Sequence, residues 1–317
     1  MKNMKAATYR AYGGADVLEI VDVPKPEPAS NEVLVEIHAS SINPIDWKMR
    51  DGMLRLIRPM TFPVIPGFDL SGRVVEVGGG VDTFKVGDEI YSRSNKKSGE
   101  ASAEYIALET DVITLKPDAF SFAEAAAVPL AALTALQAMR DDGGLKAGQR
   151  VMVNGASGGV GTYAVQIAKA MGASVTAVCS AANISMVTKL GADRVIDYTA
   201  QNPLEGEGHY DLIFDAVATL SLGAAKSRLT ATGTFVTTVP GASVIFAILI
   251  GNTFSAKKAR FIRMKPSASD LAYLTGLANN GQLVSIIDST FPLIDLQNAH
   301  LRSEEGRAKG KIVVEMK

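Results

Sequence analysis

The chain has 317 residues, 47% of them hydrophobic and 21% charged, with a net charge of −1. That balance excludes a disordered chain and supplies no basic surface of the kind nucleic acids need. Its one cysteine, Cys179, excludes an internal disulfide and a structural zinc site built on several cysteines, and it fits a reducing, cytoplasmic setting.

The opening MKNMKAATYR lacks the apolar core of a signal peptide. Short β-prone runs follow at 4–10, 18–23, 32–41, 72–77, 89–92 and 103–108, separated by Gly, Pro and Asn. The run at 32–38 sets Val33, Leu34, Val35 and Ile37 against Glu32, Glu36 and His38, which predicts a half-buried strand. Turn signals stand at 77–81 and 85–88. Strands this short and closely spaced read as a compact barrel or sandwich. Ser121 and Glu124 then form a capping box at the start of an alanine-rich helix, which Pro129 splits in two before Met139.

Residues 151–180 carry the chemistry. A buried strand at 151–154 leads into a glycine-rich turn. Val160, Tyr163, Ala164, Ile167, Ala168 and Met171 recur at helical spacing, Gly172 stops the helix, and Ser174–Cys179 is a second strand. The turn reads Ala156-x-Gly158-x-x-Gly161. Small residues at 155, 156 and 158 let the backbone approach a pyrophosphate, and Gly161 lets the helix sit close to the strand. The N–H groups and positive end of the helix favour phosphate. The strand before and helix after turn a weak glycine pattern into a dinucleotide site formed by Gly155, Ala156, Ser157, Gly158, Gly159, Val160 and Gly161.

The end of the second strand selects between cofactors. NAD sites place a carboxylate there for the ribose 2′-OH. Here stand Ser180, Ala181, Ala182 and Asn183, so no charge repels a 2′-phosphate and NADPH is expected. No basic residue adjoins Ser180 and Asn183, which leaves Lys189 and Tyr198 as further partners.

The alternation continues with a helix at 184–190 stopped by Gly191, strands at Arg194–Asp197 and 210–217, a helix at 221–229, and strands at 233–239 and 259–264. Six strands with interleaved helices predict a doubly wound parallel sheet. Val217, Thr238 and Val239 end strands at the edge where such sheets bind cofactor, Val217 lying against a nicotinamide ring or in plain core. The apolar run 244–250 is too short to cross a bilayer and reads as a segment packed in the core or a subunit interface. Residues 259–264 form an unprotected sheet edge. They predict a homodimer paired across a twofold axis, unless the chain's own 244–254 segment covers that edge. A helix follows Ser267, and a closing strand at Lys311–Glu315 returns to the N-terminal domain.

Seven stretches together resemble one family, the zinc-independent quinone oxidoreductase and alkenal reductase branch of the medium-chain dehydrogenase/reductases. They are SINPIDWK at 41–48, IPGFDLSG at 65–72, FKVGD at 84–88, AAVPLAALTA at 126–135, the glycine turn at 155–161, LGAD at 190–193 and GKIV at 310–313. The resemblance implies a GroES-like β-barrel catalytic domain (1–122 and 265–317), a Rossmann domain (123–264) and an active site in the cleft between them. It also implies that Thr134 reaches the nicotinamide carboxamide.

In the zinc-dependent alcohol dehydrogenases of this family, a cysteine stands at the place of Asn43 and a His-Glu pair at that of Phe68-Asp69. Neither catalytic nor structural zinc is therefore expected. Without a Lewis acid, alcohol oxidation is disfavoured, and reduction of a quinone or of the C=C bond of an enone is favoured. Asn43 is expected either as a turn residue before Pro44 or with its amide in the cleft, donating to cofactor or substrate oxygen. Lys48 is expected as a donor to a developing enolate or as a solvated surface lysine, and Asp46 as a capping residue. His38, His209 and His300 have no metal spacing. The resemblance implies an NADPH-dependent reductase of a small electrophilic acceptor. A non-enzymatic NADPH-binding redox sensor or interaction protein on the same fold is the alternative, and turnover separates the two.

Overall fold

The β-branched runs and glycine turns of the first hundred residues assemble around one long strand, Glu32–Ile42. In the computed structural model, which describes residues 2–206 and 208–316, this strand pairs antiparallel with Asp69–Val77, with Tyr105–Glu109 and with Lys311–Glu315. The remaining strands of the sheet are Glu89–Arg93, Ile113–Leu115 and Ile287–Pro292. Leu34 is buried along with Val33, Val35 and Ile37. The pairing of Glu32–Glu36 with Tyr105–Glu109 is unbroken, so Leu34 points to the face opposite Val33 and Val35, and the strand is covered on both faces rather than half-buried. These strands, with the helices Phe122–Ala126, Ala268–Asn279 and Leu296–Glu304, make a compact unit that ends at Ala131 and resumes at Pro266. The division falls inside the helix Pro129–Gln137 rather than at 122/123.

The second unit, Ala132–Lys265, is an all-parallel sheet. Its strands run in the order Arg194–Asp197, Ser174–Cys179, Arg150–Asn154, Tyr210–Asp215, Leu229–Thr237 and Lys258–Phe261. Strand order reverses between Arg150–Asn154 and Tyr210–Asp215, which is the point where doubly wound sheets bind ligands. Two boundaries differ from expectation. The strand at 210–217 ends at Asp215, and the helix at 221–229 is Leu222–Ser227, with Leu229 opening the next strand.

The expected strand at 259–264 is Lys258–Phe261, and its outer edge is not free. The N–H of Ile262 donates to the Thr237 carbonyl at 3.0 Å, so the backbone N–H and carbonyl of Ala259 point to the outer edge. There the Asn252 side chain accepts from the Ala259 N–H at 2.9 Å and donates to the Ala259 carbonyl at 2.8 Å. The side-chain amide imitates one residue of a neighbouring strand. Asn252 belongs to the 244–254 segment, the alternative cover for this edge, and it occupies the ladder groups of Ala259 that a paired strand would use. Asn252→Ala is expected to reopen the edge and give a rise in mass with micromolar protein concentration by light scattering. Equal masses for wild type and variant at every concentration would show that the cap is not what keeps the edge closed.

The 244–250 run packs only one side into the core. It lies in a helical stretch made of Ala242–Phe246, a π turn at Ala247–Gly251 and Asn252–Phe254. Val244 and Ala247 are buried, whereas Ile245, Phe246, Leu249, Ile250 and Phe254 are 46–86% exposed.

Candidate functional site

In the second unit, the turn after Arg150–Asn154 is shaped by glycine where the backbone demands it. Gly155 has φ +77°, and a Cβ there would meet the Val217 side chain at 2.5 Å. A Cβ on Gly161 would stand 2.1 Å from the Gly155 carbonyl oxygen, so only glycine lets the helix Gly159–Ala170 press against the turn. Gly158 differs: a Cβ there meets only the Gly155 oxygen, at 3.5 Å. Its open face adjoins the first turn of the helix, whose N–H groups have no intrahelical partner. Ala156 is buried, and its N–H donates to the Val178 carbonyl, tying the turn to the second strand.

Asn183 joins the turn to the end of that second strand. Its Nδ2 donates to Ser157 Oγ at 3.1 Å and to Ser180 Oγ at 3.3 Å. Tyr198 is 58% exposed, and its N–H donates to the Cys179 carbonyl next to Ser180. Lys189 is exposed at the end of the helix Ile184–Lys189. Val217 and Val239 are about half exposed at the same sheet edge, so Val217 is not plain core. Thr238 donates from Oγ1 to the Ala216 carbonyl at 3.2 Å, linking the ends of two adjacent strands. Thr134 is buried in the helix Pro129–Gln137.

One pair beneath the turn was not anticipated. Asn154 donates to Asp215 Oδ1 at 2.8 Å and to Thr219 Oγ1 at 2.9 Å, while Asp215 Oδ2 accepts the Leu220 N–H at 2.8 Å. This buried carboxylate braces the segment carrying Val217. The arrangement fits a dinucleotide: small residues at the turn, an open face at Gly158, and hydroxyl and amide groups at Ser157, Ser180 and Asn183.

In the first unit, Asn43 is 2% exposed, and both ends of its amide are engaged. Nδ2 donates to Asp69 Oδ2 at 2.9 Å, and Oδ1 accepts from Lys311 Nζ at 2.6 Å. This corrects the expectation that the amide is free to donate to cofactor or substrate. The cause is the buried Lys311 ammonium, which also donates to the Ile42 carbonyl at 3.1 Å and to Asp69 Oδ2 at 3.4 Å. Asp69 additionally accepts from Ser41 Oγ at 2.9 Å and from the Leu130 N–H at 2.8 Å. The signal for Lys311 was present: a lysine at the head of the apolar strand KIVV. Asn43 also starts the helix Pro44–Arg50, its N–H donating to Asp46 Oδ2 at 2.7 Å. Lys48, on the same helix, is half-buried, its ammonium 5.3 Å from the centre of the Trp47 ring.

Two buried groups here shift in opposite directions. Burial raises the Asp46 carboxyl to about 7, helped by nearby Asp69 and opposed by its hydrogen bond from Asn43 and by the Lys311 and Arg93 charges. Burial lowers His300 to about 3, helped by the Arg50 guanidinium, which donates to its Nδ1 at 3.0 Å and pairs with Glu304. Asp46 contributes stability that is full below its unfolded value near 4 and lost as pH rises to about 7. His300 contributes stability that is full above 6.5 and lost as pH falls towards about 3. Between roughly pH 4 and 6.5 the two slopes oppose, each at most about 1.4 kcal/mol per pH unit. Relative to wild type, Asp46→Asn is expected to gain stability as pH rises through this window and His300→Asn to lose it, read by urea unfolding at several pH values. Parallel curves for all three proteins would refute these assignments.

Comparison with known proteins places both units. The "Alcohol dehydrogenase GroES-like domain" family matches residues 29–138, and the "Zinc-binding dehydrogenase" family matches residues 190–314. The chain is 40% identical to the chloroplast envelope quinone oxidoreductase homolog of Arabidopsis thaliana, over 99% of both chains. It is 39% identical to the NADPH-dependent alkenal/one oxidoreductase of the same plant, over 68% of this chain and 58% of the relative. The structure of the quinone oxidoreductase from Coxiella burnetii superposes with a TM-score of 0.89 at 32% identity, covering all of both chains. The zinc in one family's name meets no fitting donor set at the corresponding place. Position 43 offers an amide oxygen already bound to an ammonium, position 68 a phenylalanine, and Asp69 a carboxylate already facing the Lys311 cation.

Proposed function

The chain belongs to the quinone oxidoreductase branch of the medium-chain dehydrogenase/reductases, and from that membership we propose that it is an NADPH-dependent, zinc-independent reductase of quinones or of the C=C bond of enones. The observation that carries the reading is the turn at 155–161. It is open at Gly158 and bridged through Asn183 to a strand end, Ser180, that bears no carboxylate. When bound, the dinucleotide supplies the hydride.

The chain's own residues hold and orient it. Backbone N–H groups at the start of Gly159–Ala170 receive the pyrophosphate. Ser157, Ser180 and Asn183 present hydroxyl and amide groups towards the ribose, with Tyr198 beside them. Val217 and Val239 give the nicotinamide end an apolar surface that excludes water. From the family membership, Lys48 is proposed as the donor to a developing enolate oxygen. Asn43 serves the Lys311 cluster instead.

The test is NADPH consumption with a panel of quinones and alkenals, with and without a chelator. Turnover that persists in the chelator is expected. Loss of activity together with one zinc per chain would remove the metal-free reading. Tight NADPH binding with no turnover on any acceptor would favour a redox sensor. Ser180→Asp is expected to shift preference towards NADH by roughly tenfold or more, because a carboxylate there bonds the 2′-OH and repels a 2′-phosphate. An unchanged NADPH/NADH ratio would move that recognition to Lys189 or Tyr198.

A further inference from the structure

Arg93 ends the strand Glu89–Arg93 directly across the ladder from Asp69. Residues opposed in this way carry their side chains on one face, so Asp69 is its counter-ion by position. That carboxylate is already spent on Ser41, Asn43, Lys311 and the Leu130 N–H. The guanidinium lies instead against the Phe68 ring, 4.4 Å from its centre, and Nη1 donates to the Ser94 carbonyl at 2.6 Å. Arg93 is 8% exposed, and its Nε is buried without a hydrogen-bond partner.

A second guanidinium stands over the same ring. Arg58 is 5.5 Å from the Phe68 centre and donates to the Lys97 carbonyl at 2.7 Å. Both arginines donate to backbone carbonyls and, among the described residues, to no carboxylate. Burial pushes Arg93 down to about 10, and the Arg58 charge acts in the same direction, against Asp69 and Asp46. An aromatic face recovers only part of what two positive charges lose when buried side by side. A Cβ on Gly67 would meet Ser102 Oγ at 2.7 Å, so this hydroxyl, also buried without a partner, lies next to the residue before Phe68. The cluster has donors to spare and lacks an anion. A guanidinium fork matches a planar carboxylate, and Nε of Arg93 is the donor left for one.

We propose that the acceptor carries a carboxylate away from its reacting bond, and that Arg93, seconded by Arg58, receives it. All these residues belong to the first unit. The Arg93 charge acts on Asp46, which shares the helix Pro44–Arg50 with Lys48. One end of such an acceptor meets arginine while its carbonyl oxygen meets Lys48, and two fixed ends orient the bond between them. The proposal rests on the reductase reading and narrows it, since a neutral quinone or alkenal would leave both guanidiniums unpaired.

An enone bearing a carboxylate two methylenes from its double bond is compared with its methyl ester, so that the two differ in one charge. The wild type is expected to reduce the acid with a kcat/KM about tenfold or more above the ester, chiefly through KM, and to bind the acid correspondingly tighter by calorimetry with NADP+ present. Arg93→Met is expected to bring the acid-to-ester ratio close to unity. Arg93→Lys keeps part of the preference, because the charge stays and the fork is lost, and Arg58→Met lowers it roughly threefold or more. Thermal melts accompany each variant, and Arg58→Met, at a half-buried position, answers the question if Arg93→Met does not fold. A wild-type ratio near unity, or a ratio that the arginine variants leave unmoved, overturns the proposal. The calorimetric arm needs no turnover: equal affinity for acid and ester also overturns it. Acid bound through Arg93 with neither compound reduced would instead remove the reductase reading and leave the carboxylate site standing.

Discussion

Gly158→Asp is expected to weaken NADPH binding by about 100-fold or more, ~2.8 kcal/mol, while the protein stays folded. Gly158 has φ −83° and ψ 177°, an extended conformation that any residue adopts. A side chain there meets nothing closer than 3.5 Å, so the substitution is not strained. It precedes the first helical residue, where aspartate is among the preferred caps and adds about 0.5–2 kcal/mol relative to alanine. The carboxylate would thus take the first-turn N–H groups that the pyrophosphate is proposed to use, and would repel its charge. Calorimetric titration with NADPH and a thermal melt together decide the matter. Unchanged affinity would mean that the phosphate site lies elsewhere, and an unfolded variant would mean that the open face is not open. Gly161→Ala is a contrasting change, since its Cβ would collide with the Gly155 carbonyl and disturb the turn itself.

Lys311→Met is expected to cost about 3–5 kcal/mol of stability, measured by urea unfolding. The ammonium is buried, and its desolvation is offset by Asn43, the Ile42 carbonyl and the charges of Asp69 and Asp46. Its removal leaves a fully buried Asp69 carboxylate without its ammonium partner and the Asn43 amide oxygen without the donor that Lys311 supplies. Ser41, Asn43 and the Leu130 N–H still donate to Asp69, which sets the expectation towards the lower end. Asp69→Asn/Lys311→Met removes both charges and is expected to lose less than the sum of the single variants. A loss below about 1 kcal/mol for Lys311→Met would show that the ammonium is not what compensates the carboxylate.

Much of the fold was legible because its signals are local. The strands Ser174–Cys179, Arg194–Asp197 and Lys311–Glu315 are β-branched runs set between turn residues. Gly172 and Gly191 end their helices with φ of +79° and +105°, which glycine adopts without strain. The capping box of Ser121 and Glu124 and the break at Pro129 are likewise properties of neighbouring residues. The helix Leu296–Glu304 was not legible, because Gln297, Asn298, His300 and Arg302 interrupt any apolar stripe. The engagement of the Asn43 amide depends on a lysine 268 residues away, and the cap on Ala259 on a single side chain from another element. Sequence periodicity carries no information on either. The turn at 155–161 was readable because its geometry needs small residues at fixed spacing. What Asn183 and Asp215 do around it is decided by where the strands end.

The position of Lys311 also bears on how the chain is made. The nucleotide-binding unit is continuous in sequence, whereas the unit of the first strands is interrupted after Ala131 and finished only by residues after Pro266. On a ribosome adding ~5–20 residues per second, roughly 10–40 s separate Ala131 from Lys311. Throughout that interval Glu32–Ile42 lacks its Lys311–Glu315 neighbour, and the Asp69 carboxylate waits without its ammonium. The part synthesised first is therefore completed last, and a nascent chain holds an open strand edge while the whole parallel sheet is still being translated.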